Sequence, residues 1–325
     1  MREVDFIREN KEKWQEYDEV SKSKNAPVET YTNAYHDLLA DLAYANTKYP
    51  DSRIRIYLSN VAKKLHEKIY TPDKFSWSTI KRLFSYEVPY LVVKHRKEYI
   101  LTSVTFILFV ILGVILQLQD IDACREILGS HYVDETIKSI EAGEPCAVYG
   151  RDGEFQTFFH VTLNNLLVCL RMYSSGLFPF VGPLRFISVN GIMLGEFQTF
   201  FFQYGAGFES MTSIWIHGSL EIPTILIEAT AAIILSHSIV FPGSYSRWES
   251  IKRGGVESMK VLLSALPVIV IAGFMEGYIA RRSYDPLIVR LLIIFTLFSA
   301  WLYYYVYLPM QIYKRNKETE EFLKK

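Results

Sequence analysis

The chain has 325 residues, 50% of them hydrophobic and 15% aromatic, with 35 basic and 35 acidic side chains and a mean hydropathy of +0.11. That balance gives no basic field for nucleic acid. The apolar residues are gathered into long runs, which excludes a wholly soluble domain of this length, where they would recur in short periodic segments. Residues 100–117 carry no charged side chain and residues 287–309 only Arg290. At about 1.5 Å per residue, each run crosses or nearly crosses a hydrocarbon core of about 30 Å. The reading is all-α: a polytopic membrane helical bundle with an N-terminal cytosolic helical domain.

That domain is expected over residues 1–72. Residues 1–22 read as an amphipathic helix through Phe6, Trp14, Tyr17 and Val20, and Asn25-Ala26-Pro27 breaks it. A second helix presents Tyr31, Tyr35, Leu38, Leu39 and Leu42 on one face and ends before Tyr49-Pro50. Asp51 or Ser52 caps a third, whose stripe is Ile54, Tyr57, Leu58, Val61, Leu65 and Ile69. No apolar leader precedes these helices, so the first span is expected to act as an uncleaved anchor. Residues 73–98 are an elbow-like amphipathic segment. Phe75, Trp77, Ile80, Leu83, Phe84 and Val88 beside Lys74, Lys81 and Arg82 suit a helix at the headgroup boundary or a fourth core helix. The basic run Lys94-His95-Arg96-Lys97 that follows favours the former.

The transmembrane domain is expected over residues 99–313, with about six spans at 99–117, 156–173, 186–203, 220–241, 258–280 and 286–309. Residues 174–184 read equally as a tight turn or a re-entrant dip. Lys94, Arg96, Lys97, Arg171, Arg185, Arg247, Lys252, Arg253, Lys260, Lys314, Arg315 and Lys317 fall on one side if both termini, including the tail 314–325, are cytosolic. The acidic loop 118–155 then lies outside, with Arg281-Arg282 as the one dissenting pair. Cys124 and Cys146 in that loop are a possible disulfide, or two free thiols; neither they nor Cys169 has zinc-site spacing.

A charge in lipid costs about 2.5–3.5 kcal/mol, so intramembrane ionisable residues point to function or to dedicated partners. His217, Glu221 and Glu228 share one face of the fourth span. Glu276 reaches the depth of His217 and Glu221 from the fifth, so those three are expected to converge in one buried polar cluster. Further intramembrane polar residues are His160, Asn164, Asn165, Asn190, Glu196 and Glu228. Gln156, His160, Asn164 and Arg171 form a stripe expected to face into the bundle. Gly191 and Gly195 have the spacing of a close helix crossing. Pro223 is placed in the first turn of its helix; a helix starting before His217 would instead be kinked there. The cluster reads as interhelical hydrogen bonding, as a proton or substrate path, or as a metal site. His217 and Glu221 supply two ligands and no third of known proximity, so no metal is assigned, and no cofactor is expected. No P-loop, nucleophile elbow, HExxH or dinucleotide loop is present in the sequence.

Several segments in order resemble the stage II sporulation protein M family of integral membrane proteins. They are Ile216-His217-Gly218-Ser219-Leu220-Glu221-Ile222, Ala272-Gly273-Phe274-Met275-Glu276-Gly277-Tyr278, Asn164-Asn165, Asn190-Gly191 with Leu194-Gly195, and Phe241-Pro242-Gly243 with Arg247. Trp14, Asp41-Leu42-Ala43 and residues 65–70 resemble its longer members. The chain departs from the family at the bulky stretch 226–235 and at the arginine-poor Val88-Pro89-Tyr90-Leu91-Val92-Val93. The resemblance implies a membrane fold and a cell-envelope theme, not a reaction. The expectation is a non-enzymatic component or scaffold of an envelope or wall-remodelling machine in the bacterial cytoplasmic (inner) membrane. Its expected partners are the lipid bilayer, other envelope proteins and a cytosolic protein through residues 1–72, with a second copy as a further candidate, but not nucleic acid. The alternative is a transporter or permease-like subunit using the buried Glu and His residues.

Overall fold

The computed structural model describes residues 2–23, 28–70, 77–142, 153–280 and 286–323. Asn25-Ala26-Pro27, Cys146 and Arg281-Arg282 lie outside them. All regular structure among the described residues is helical, and the chain divides into two compact units, Met1–Thr79 and Ile80–Lys325.

In the first unit, α1 (Glu3–Lys22), α2 (Val28–Lys48) and α3 (Arg53–Tyr70) bury their apolar stripes against one another. Trp14, Leu38, Leu58 and Leu65 are almost fully enclosed. The Trp14 indole donates to Asp41 at 2.8 Å, and Lys13 pairs with the same carboxylate at 2.6 Å. This matches an indole to an acceptor where the ring is buried. Ser52 caps α3 by accepting the Ile54 amide at 3.1 Å. Leu39, read as part of the α2 stripe, is exposed.

In the second unit, α4 (Trp77–Arg82) passes through a π-helical turn at Leu83–Glu87 into α5 (Val88–Lys94). Val88, Leu91 and Val92 are buried in the same core as Trp301 and Tyr305, so this part of the elbow segment belongs to the bundle. The remaining elements are α6 (Arg96–Gln119), the short α7 (Cys124–Leu128) and α8 (Ser130–Glu141), α9 (Glu154–Ser175), α10 (Val181–Gln203), α11 (Gly207–Val240) and α12 (Arg247–Phe274). A π-helical segment, Met275–Ala280, extends α12. After it come α13 (Leu287–Leu302), a π segment at Tyr303–Tyr307 and α14 (Leu308–Leu323).

Among the described residues, four helices are long and apolar enough to cross a membrane: Arg96–Gln119, Gly207–Val240, Arg247–Ala280 and Leu287–Asn316. Helices α9 and α10, read as spans two and three, are more polar and are not among them. The apolar stretch of α11 is 67% buried, whereas those of α6 and of the α13–α14 run are 17% and 11% buried. Ile100, Ile107, Leu108, Ile288, Leu292 and Phe295 point outward. A protein with α11 at its centre and apolar helices facing out is built for lipid.

Helix α11 starts at Gly207 rather than near Leu220, which places Pro223 inside it and not in its first turn. The early start is held by packing: Ser210, Thr212, Ser213 and Ile216 are all buried. Between α9 and α10 the chain makes a tight turn with Phe180 at φ 61°. The crossing of α6 and α10 is very close. A Cβ on Gly195 would lie 2.2 Å from the Val110 carbonyl oxygen, one on Gly191 2.9 Å from that of Phe106, and one on Gly113 2.3 Å from that of Ile192.

Candidate functional site

The first half of α11 and the end of α12 pack together, and their ionisable side chains meet there. His217 and Glu221 are one turn apart, and Glu276 reaches them from the π-helical end of α12. One donor atom of each lies within 4.8 Å of the other two. The π segment widens the helix by one residue per turn, which re-aims the side chains on it, and such segments recur at functional sites. His217 Nε2 stands 3.8 Å from Glu276 Oε2, with both side chains deeply buried. Asn165 of α9 donates to Glu221 Oε1 at 2.5 Å. Two glycines hold α9 close enough for that bond. A Cβ on Gly273 would meet Thr162 Oγ1 at 2.2 Å, and one on Gly277 would meet Phe158 Cβ at 2.8 Å.

The other sequence-predicted residues are dispersed. Glu228, on the same helix as His217, is buried and faces Cys169 of α9. Glu196 is buried in α10, with Glu126 of α7 among its neighbours. Asn190 donates back to the Phe186 carbonyl of its own helix at 2.9 Å. Gln156, His160, Asn164 and Arg171 are exposed, so the polar stripe of α9 faces away from the bundle; Asn165, one residue on, is the one that enters. The reason is packing: Cys169, Met172 and Ser175 occupy the inward face of α9. Gly191 and Gly195 lie at the α6–α10 crossing. Cys124 is buried beside Phe200 and Phe201; Cys146, expected to be its disulfide partner or a second free thiol, is outside the described residues.

Two polar arrangements escaped the sequence reading. Gln117, fully buried, donates to Gln203 Oε1 at 2.9 Å and accepts the Cys124 amide at 2.9 Å, locking α6 to α10 and α7. Its only signal was a glutamine ending an apolar run. At the other end of the bundle, Glu257 pairs with Lys94 at 2.5 Å and His95 at 2.8 Å, while Glu98 takes His237 at 2.7 Å. Burial pulls the His95 pKa down, but its bonds to Glu257 and Glu98 outweigh that and hold it above the ordinary histidine value. Lys260, helped by Arg82 and opposed by burial, holds the Glu87 carboxyl below the usual carboxylate range. Of these residues, Lys94 and Lys260 read in sequence as charges that set orientation, and the sequence reading singles out none of Glu87, Glu98, His237 and Glu257.

Chemically, one imidazole and two carboxylates facing each other can share protons, hydrogen-bond two helices together, or ligate a cation. The family model described as Stage II sporulation protein M matches residues 102–281, which run from within α6 past the end of α12 and include all three cluster residues. A domain of unknown function (DUF8413) matches residues 4–71, nearly the whole of α1 to α3. No curated protein and no solved structure matches the chain. The family match covers more than half of the 325 residues, and the chain belongs to the stage II sporulation protein M family.

Proposed function

We propose that the chain is a non-enzymatic, multi-pass component of an envelope or wall-remodelling machine in the cytoplasmic membrane, which docks partner proteins. In this reading the chain crosses about six times, α9 and α10 included, with both termini and the α1–α3 unit in the cytosol. The observation that carries it is the closed core of that unit. Three amphipathic helices enclose Trp14, Leu38, Leu58 and Leu65 in a core built from their own side chains. A soluble-type domain fused to a lipid-facing bundle is the form of a membrane adaptor. The basic residues Lys94, Arg96, Lys97, Arg247, Lys252 and Arg253 flank helix ends that this topology puts on the cytosolic side. Deleting residues 1–72 should leave the bundle inserted and remove a specific cytosolic protein from the complex purified with the full chain. An unchanged set of co-purifying proteins would contradict the reading.

The exposed Gln156, His160, Asn164 and Arg171 stripe supports pairing with a second copy, since polar groups in lipid need partners. Disulfide trapping of Asn164→Cys in membranes checks this, and absence of a dimer band counts against it. A second reading, a transporter or permease-like subunit, is favoured by the convergence of His217, Glu221 and Glu276 inside the bundle. It predicts that Glu221→Gln abolishes the cellular role at normal expression. The docking reading predicts a mild effect, because an amide still pairs with Asn165.

A further inference from the structure

We propose that His217, Glu221 and Glu276 form a binding site for one divalent transition-metal ion, held between α11 and the π-helical end of α12. The inference does not depend on the docking reading. Spacing along α11 offered two ligands, and the fold brings in the third. Three donor atoms, an imidazole nitrogen and one oxygen from each carboxylate, already lie within 4.8 Å of one another. Ligands bound at about 2.0–2.1 Å in a tetrahedral site are roughly 3.3 Å apart, a closure that side-chain rotation supplies.

The environment favours a cation over the alternatives. Two carboxylates this close in a lipid-embedded bundle repel, and each requires a positive charge or a proton. Asn165 satisfies one oxygen of Glu221 and leaves the other to the cluster. Glu276, only 8% exposed, makes no hydrogen bond among the described residues. Its contact with His217 Nε2, at 3.8 Å, is too long to be one. Arg290, on α13, directs a guanidinium nitrogen to Ser213 Oγ at 3.0 Å, one turn along α11 from His217. A dication would cancel both carboxylates at once and use the imidazole as a neutral ligand.

Nitrogen and oxygen donors without a thiolate select zinc, manganese, iron or cobalt in the divalent state, whereas calcium and magnesium prefer all-oxygen shells. Three protein ligands leave a fourth position open, the pattern of sites that exchange a water or substrate. Glu221, the partly exposed member, marks the side from which that position is reached. The glycines at 273 and 277 bring α9 against the site, so Asn165 orients a ligating carboxylate as metal sites require.

The test uses the full-length chain, purified in mild detergent without a histidine tag, stripped with chelator and titrated with Co²⁺, then Zn²⁺. Expected are visible Co²⁺ bands of a low-symmetry nitrogen–oxygen site and about one tightly held Zn²⁺ per chain by elemental analysis. His217→Ala and Glu276→Gln should each weaken Zn²⁺ binding at least about tenfold, while Glu228→Gln leaves it unchanged. Monodisperse elution shows that the variants fold. If they do not, the wild-type spectrum alone decides, because an aquo-ion spectrum overturns the site. Thiolate charge-transfer bands would assign any bound ion to cysteine and overturn it too. So would Zn²⁺ binding that is equal in wild type and folded Glu276→Gln.

Discussion

Alanine at Gly195 would put its Cβ 2.2 Å from the Val110 carbonyl oxygen and 2.8 Å from the Val114 amide nitrogen. Ordinary contact begins near 3.4 Å, so α6 and α10 must separate by more than an ångström, and the obstacle is backbone, which cannot rotate away. Overpacking of this kind costs about 1–3 kcal/mol. Removing a glycine from a helix interior gains roughly 0.5–1 kcal/mol. Gly255→Ala isolates the gain: that glycine is helical in α12 and a Cβ there meets nothing within 4 Å. The difference between the two variants is therefore the steric cost, about 1–3 kcal/mol, or roughly a thirtyfold change in equilibrium constant at its midpoint of about 2 kcal/mol. Reversible unfolding in mixed micelles, followed by circular dichroism, measures it. Gly113→Ala, 2.3 Å from the Ile192 oxygen on the same seam, should behave like Gly195→Ala. The double variant should cost less than the sum, because one separation accommodates both methyl groups. Equal stability of Gly195→Ala and Gly255→Ala, within about 0.5 kcal/mol, would refute the close crossing.

Two further outcomes are expected. Trp14→Ala removes a ring that is 2% exposed together with its bond to Asp41. Loss of about 3–5 kcal/mol should make α1–α3 the first part of the intact chain cut by limited proteolysis, and an unchanged digestion pattern would contradict the closed core. His95 has a raised pKa, so its contribution is complete below the ordinary value of about 6.5 and is lost as pH rises through the folded value. After correction for intrinsic rates, hydrogen-exchange protection around residues 95–98 should fall as pH rises through and above neutrality. His95→Gln should flatten that dependence, with Lys94–Glu257 and His237–Glu98 left as the remaining pins. A protection profile identical in the two proteins would remove the role assigned to His95.

The parts of this fold legible from sequence are those where composition alone decides. The membrane-crossing length of α6 and of the α13–α14 run follows from long apolar runs, and the α3 core residues Leu58, Val61 and Leu65 from helical period. The approach of His217, Glu221 and Glu276 follows from depth, because α11 leaves and α12 returns to the same end of the bundle. Direction was harder. Periodicity shows that Gln156, His160 and Asn164 share a face, but not whether that face meets protein. Packing of Cys169 and Met172 turns it outward. Pro223 signalled a helix start because proline is well tolerated there, yet buried contacts from Ser210 to Ile216 carry α11 through it. The π-helical turn under Glu276 has no compositional signature, and the Gln117–Gln203 lock depends on a contact 86 residues apart.

The most direct test of the central claim, a membrane adaptor with its α1–α3 unit in the cytosol, is cysteine accessibility in intact cells. Cys124, Cys146 and Cys169 are first replaced by serine. Single cysteines then go to the exposed positions Lys11 in α1, His131 in α8 and Ser244 between α11 and α12. A membrane-impermeant maleimide should label His131→Cys in intact cells and reach Lys11→Cys and Ser244→Cys only after permeabilisation. Labelling of Lys11→Cys from outside, with His131→Cys protected, would contradict the account.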